Sequence, residues 1–94
     1  MVEILHRYKH TYPDGSIVQI VIWDIPRTHD RPDGIRYRLA FVPALAASPA
    51  VLYDNHHPKG HHKHIRGVEY PYEFSDWNKL IEDFYKDKEA YENL

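Results

Sequence analysis

The 94-residue chain is 43% hydrophobic and 28% charged, the composition of a folded globular protein rather than a disordered one. Its length suits one domain over residues 1–94, since two halves would each be too small to bury a core. There is no cysteine, which excludes a disulfide framework and a thiolate metal site. No apolar run approaches the roughly 20 residues that span a bilayer, and MVEILHRYKH lacks the apolar core of a signal peptide. A cytoplasmic protein without a membrane role is expected.

The net charge of -2 conceals a division along the chain. Residues 1–67 hold nine Lys/Arg against six Asp/Glu and all eight histidines, whereas residues 68–94 hold three against eight. A positive potential near the histidines favours a phosphate-rich ligand, although an imbalance of this size also arises by chance in short domains.

Residues 4–12 read as a strand, and Pro13-Asp14-Gly15 supplies the turn into a second apolar strand at residues 16–24. Residues 25–34, IPRTHDRPDG, form a loop. Residues 35–42 alternate cleanly, with Ile35, Tyr37, Leu39 and Phe41 on one face and Arg36 and Arg38 on the other. A short strand follows at residues 50–54, and Ile65 and its neighbours are candidates for a fifth. At the C-terminal end, Ser75 or Asp76 can cap a helix, with Phe74 placed as a hydrophobic staple. Trp77, Leu80, Ile81, Phe84 and Tyr85 make its apolar stripe, opposite Lys79, Glu82, Asp83, Lys86 and Asp87. The expected fold is α+β: an antiparallel sheet of four to five strands with a C-terminal amphipathic helix packed on one face.

Residues 53–67, YDNHHPKGHHKHIRG, carry the chemistry. Five histidines (His56, His57, His61, His62, His64) fall within nine positions, beside Lys59, Lys63 and Arg66. Three explanations compete. His62 and His64, on one face of an extended chain about 7 Å apart, can share a metal ion with His56 or His57 and Asp54. The neighbouring cations oppose that, and the spacing matches no helix-borne histidine pair. Alternatively the segment cleaves phosphodiesters without metal. Histidines then act on the 2′-hydroxyl and the 5′-leaving oxygen, and cations stabilise charge at phosphorus. Asp54 can orient an imidazole, Arg36 and Arg38 can add phosphate contacts, and Tyr8, Tyr12, Tyr53 and Tyr72 offer stacking surfaces. The third explanation is a solvated turn shaped by Pro58 and Gly60.

The chain resembles the TumE family of prokaryotic toxins in an ordered set of features. Asp14-Gly15-Ser16 precedes a strand ending in Trp23, followed by Tyr37-Arg38-Leu39 in the next long strand. Then come Tyr53-Asp54-Asn55, His57, Lys59-Gly60, His62-Lys63-His64, Gly67, Glu69, Pro71-Tyr72 and Phe74, and finally Asp83-Phe84 in the closing helix. The resemblance covers about residues 10–88. Pro58 replaces a glycine of the pattern, His61 a small or acidic residue, and Lys63 stands where arginine is equally at home. His56 and His61 therefore sit at the periphery of the pattern.

The resemblance implies a toxin neutralised by a helix-turn-helix antitoxin and acting on RNA or translation. Combined with the residue chemistry, it points to a metal-independent endoribonuclease that needs no cofactor. His57, Lys59, His62 and His64 are its candidate catalytic residues. Arg36, Arg38, Lys63 and Arg66 are expected to hold nucleic acid, with Asp54 and Asn55 shaping the site. A non-catalytic nucleic-acid- or antitoxin-binding module and a histidine-ligated metal protein are the alternatives. An exposed sheet edge would permit a homodimer.

Overall fold

A computed structural model describes residues 2–56 and 60–93. The elements are β1 (Glu3–Thr11), β2 (Ile17–Asp24), β3 (Ile35–Val42), β4 (Val51–Asp54), β5 (His62–Ile65), β6 (Val68–Pro71) and α1 (Trp77–Glu92). The six strands form one antiparallel sheet in sequence order, so every strand pairs with its neighbour in the chain.

The first hairpin closes as its chemistry dictates. Gly15 sits at φ 93°, a conformation open to glycine, and Asp14 Oδ1 accepts from both the backbone N–H and the hydroxyl of Ser16, at 2.8 and 2.6 Å. Those two bonds hold the Asp14 carboxyl below its ordinary pKa. A bulge between Ile4 and His6 shifts the β1–β2 register by one residue.

The sheet has one more strand than the upper bound expected. β6, VEYP, is exposed along its length, lies at the sheet edge and ends in proline, so it carries no alternating apolar signal. Its turn is also unusual. Arg66 and Gly67 both take positive φ, at 52° and 81°, as a two-residue type I′ connection requires, but arginine stands where asparagine or glycine is favoured.

Alternation then sorts the side chains onto two faces. Val18, Ile20, Ile22, Tyr37, Leu39, Phe41, Val51 and Tyr53 pack with Leu80 and Phe84 into the core, so α1 covers this side of the sheet. The helix stripe is thus core, as its periodicity predicts. Asp76 is the cap, accepting from the Lys79 N–H at 2.9 Å. Phe74 accordingly lies two residues before the cap, too early for a staple, and stacks instead on His61 with ring centroids 4.9 Å apart. Lys88 extends the buried stripe; its ammonium reaches Glu92 at 2.8 Å while lying over the Tyr12 and Phe41 rings.

Among the described residues no helix is long and apolar enough to cross a membrane.

Candidate functional site

The sheet face opposite α1 gathers the polar residues that alternation excludes from the core. Register places Arg7, Val21, Arg38, Asp54 and His62 in one row across five strands. The adjacent row runs Lys9, Gln19, Ala40, Leu52, His64 and Glu69. Arg36 lies beyond Arg38 on the same face, with its guanidinium 5.4 Å from the centre of the Trp23 ring. Neighbouring strands within a row are about 4.8 Å apart and the two rows about 6.7 Å apart, within reach of long side chains. Four cations therefore share this face with Asp54, Glu69 and two histidines. The acidic helix lies on the other side, so the division of charge along the chain becomes a division between faces.

His62 and His64 meet here. Their rings are edge to face with centroids 5.1 Å apart. His62 is 7% exposed, and its Nδ1 lies 2.8 Å from the Gly60 carbonyl. A carbonyl only accepts, so Nδ1 carries the hydrogen and neutral His62 keeps its lone pair on Nε2. The Gly60 backbone, rather than Asp54, thus orients this imidazole. Asp54 Oδ1 instead accepts from the His56 N–H at 2.5 Å, closing a local turn. His64 is partly exposed, with Nε2 3.6 Å from Glu69 Oε1 on β6. Among the described residues, His62, His64 and Glu69 offer ligand atoms that all lie within 4.8 Å of one another.

The remaining residues of the segment disperse. Lys63 points to the helix side, where its ammonium donates to Asp87 at 2.9 Å and lies over the Tyr53 ring. Arg66, at the β5–β6 turn, sets its guanidinium over the Tyr91 ring at 5.0 Å. Asn55 is buried and acts as a brace: Oδ1 accepts from the Tyr37 N–H at 2.9 Å, and Nδ2 donates to the Ile35 carbonyl at 2.8 Å. His57 and Lys59 lie outside the described residues.

His61, peripheral in the sequence pattern, is firmly held. Its ring clusters with those of Phe74 and Tyr37, which also stack on each other, its Nδ1 lies 2.9 Å from the Tyr37 hydroxyl, and its Nε2 lies 2.6 Å from Asp33 Oδ2. Asp33 requires the hydrogen on Nε2, leaving Nδ1 to accept from tyrosine. Burial, with nearby tyrosine and carboxylate groups, pushes the Tyr37 hydroxyl pKa up and keeps it a donor. A cleft of about 150 Å³ beside this chain is lined by Arg31, Asp33, Asn55 and His61.

The proposed stacking tyrosines are mostly engaged. Tyr53 donates to Asp87, and Tyr72 donates to Asp83 at 2.6 Å. Tyr12 lies under Lys88, whereas Tyr8 is exposed. Sequence reasoning overlooked Arg7 and Lys9, and it named Glu69 in the family pattern without assigning it to the site. The alternation of β1 hints at the first two, but only pairing brings Glu69 opposite His64.

A family model described as Toxin TumE matches residues 3–92. Comparison with curated proteins and with solved structures gave no match.

Proposed function

Because the chain belongs to the Toxin TumE family, we propose that it is the toxin of a toxin–antitoxin module and cleaves RNA on the open face of its sheet. The observation that carries this reading is the His62–His64 pair, 5.1 Å apart on the face that also bears Arg7, Lys9, Arg36 and Arg38. Two imidazoles at that separation can flank one phosphodiester, and the cations can hold its neighbours.

The reaction needs no metal. His62, its lone pair on Nε2, takes the proton of the 2′-hydroxyl as the 2′-oxygen attacks phosphorus. His64 delivers a proton to the departing 5′-oxygen as the P–O bond breaks. The products are a 2′,3′-cyclic phosphate and a free 5′-hydroxyl, and the next turnover restores the two protonation states through water. Arg38, in the same cross-strand row as His62, counters charge on the phosphoryl oxygens. His57 and Lys59 join this set on sequence grounds. Lys63 has a fastening role in the proposal, because Asp87 already holds its charge.

The family implies an antitoxin partner. We assign it to the helix-turn-helix class and place the action in the cytoplasm, where RNA is accessible.

The test uses a defined oligoribonucleotide and the purified variants His62→Ala and His64→Ala. Each variant is expected to lose cleavage by about 10²- to 10⁴-fold. An oligonucleotide with 2′-deoxyribose at the scissile position is expected to resist the wild-type protein. Wild-type rates in either folded variant, or cleavage at the deoxy position, would refute the mechanism.

A further inference from the structure

We infer that His62, His64 and Glu69 form a binding site for a divalent transition-metal ion of the imidazole-preferring class. Two histidines and one carboxylate suit zinc and its neighbours, and they project from adjacent strands toward a common point. Ligand atoms about 2.1 Å from a tetrahedral ion are about 3.4 Å from one another. His64 Nε2 and Glu69 Oε1, at 3.6 Å, are already near that separation. The three ligand atoms lie within 4.8 Å, so modest side-chain rotation on the exposed Glu69 and the partly exposed His64 closes the set.

A second feature supports ligation. Metal-binding histidines commonly donate their other ring N–H to a carbonyl or carboxylate, which fixes the free nitrogen as a ligand. The Nδ1 bond of His62 to the Gly60 carbonyl has this form. Of the cations that oppose a bound ion, the lysine between the two histidines does not face the site. Lys63 projects to the opposite face and is paired with Asp87, while Asp54 stands across from His62 in register. The site therefore carries the Glu69 carboxylate at its two imidazoles, with Asp54 beside His62 offset by Arg38 across from it.

An ion bound here occupies the nitrogens assigned to proton transfer. Metal would therefore inhibit cleavage, a consequence that rests on the function proposed above; the binding site itself does not.

Calorimetric titration of metal-stripped protein with zinc chloride separates the two. One zinc ion per chain is expected, with Glu69→Gln and His64→Ala each weakening binding about tenfold or more. His10→Ala and His56→Ala are expected to bind like wild type. Magnesium chloride, which demands oxygen ligands, is expected to give no binding heat. Glu69 lies exposed on an edge strand, so Glu69→Gln remains informative if His64→Ala misfolds. Unchanged zinc affinity in folded Glu69→Gln, or equal loss in His56→Ala, would overturn the site. Failure of zinc to inhibit a cleavage reaction that the wild type performs would overturn the regulatory consequence. Absence of any cleavage would count against the proposed function, leaving the calorimetric result to judge the site.

Discussion

Lys63 Nζ donates to Asp87 Oδ2 at 2.9 Å, fastening β5 to α1 on the side of the sheet opposite His62 and His64. The same carboxylate receives the hydroxyl of fully buried Tyr53. The pair is about one quarter exposed on each side. Lys63→Met is therefore expected to cost less than about 1 kcal/mol in urea unfolding. Asp87→Ala costs more, about 1–1.5 kcal/mol, because it leaves the Tyr53 hydroxyl only its longer 3.2 Å bond to the Asp83 carbonyl. Cleavage by folded Lys63→Met should stay within a few fold of wild type; a loss as large as that of His64→Ala would restore Lys63 to the reactive site.

Asn55 ties the end of β4 to the start of β3 through two buried backbone bonds. Asn55→Ala removes both partners at once. The expected cost is about 2 kcal/mol or more, a fall in Tm of roughly 10 °C for a domain of this size. A thermal melt within 2–3 °C of wild type, on the same scale, would show that water replaces the amide readily.

The basic face predicts salt dependence. If Arg38 neutralises one phosphate of single-stranded RNA, Arg38→Ala lowers the slope of log affinity against log salt by about 0.7. Arg7→Ala, one strand from Val21 in the same row, should act similarly. An unchanged slope in both variants would move RNA off this face.

Ionisation links the core to stability at both ends of the pH scale. Burial raises the hydroxyl pKa values of Tyr37, Tyr53, Tyr72 and Tyr85, with carboxylate bonds adding to the effect at Tyr53 and Tyr72. A raised folded pKa means stability intact below the ordinary value of 10.0 and lost as pH climbs above it. These four tyrosines should therefore ionise with unfolding in an ultraviolet titration. Early, reversible ionisation of all eight tyrosines would contradict their burial. Asp83 has the opposite sign. Burial opposes its charge, but the Lys79 ammonium and the Tyr72 hydroxyl prevail and hold its carboxyl below 3.8. Its contribution is present above that value and disappears as pH falls through the lower folded one. Asp83→Asn should flatten this acid limb of the unfolding curve.

Local chemistry determined a large share of this protein. The Pro13-Asp14-Gly15 turn, the alternation that separates Arg36 and Arg38 from Tyr37 and Leu39, and the stripe from Trp77 to Tyr85 depend on nearest neighbours. Each is legible in the sequence for that reason. β6 was not, because an exposed edge strand buries too little to impose a pattern, and its Arg66-Gly67 turn departs from the favoured residue pairs. Tertiary structure alone decided which members of the histidine segment act together. A one-residue step turns a strand side chain to the opposite face, so His61 is locked among Tyr37, Asp33 and Phe74 while buried His62 and partly exposed His64 lie on the face away from α1. Pairing between strands then brought Glu69 beside His64 and aligned Arg7, Arg38 and His62 in one row, contacts between residues that no local pattern relates.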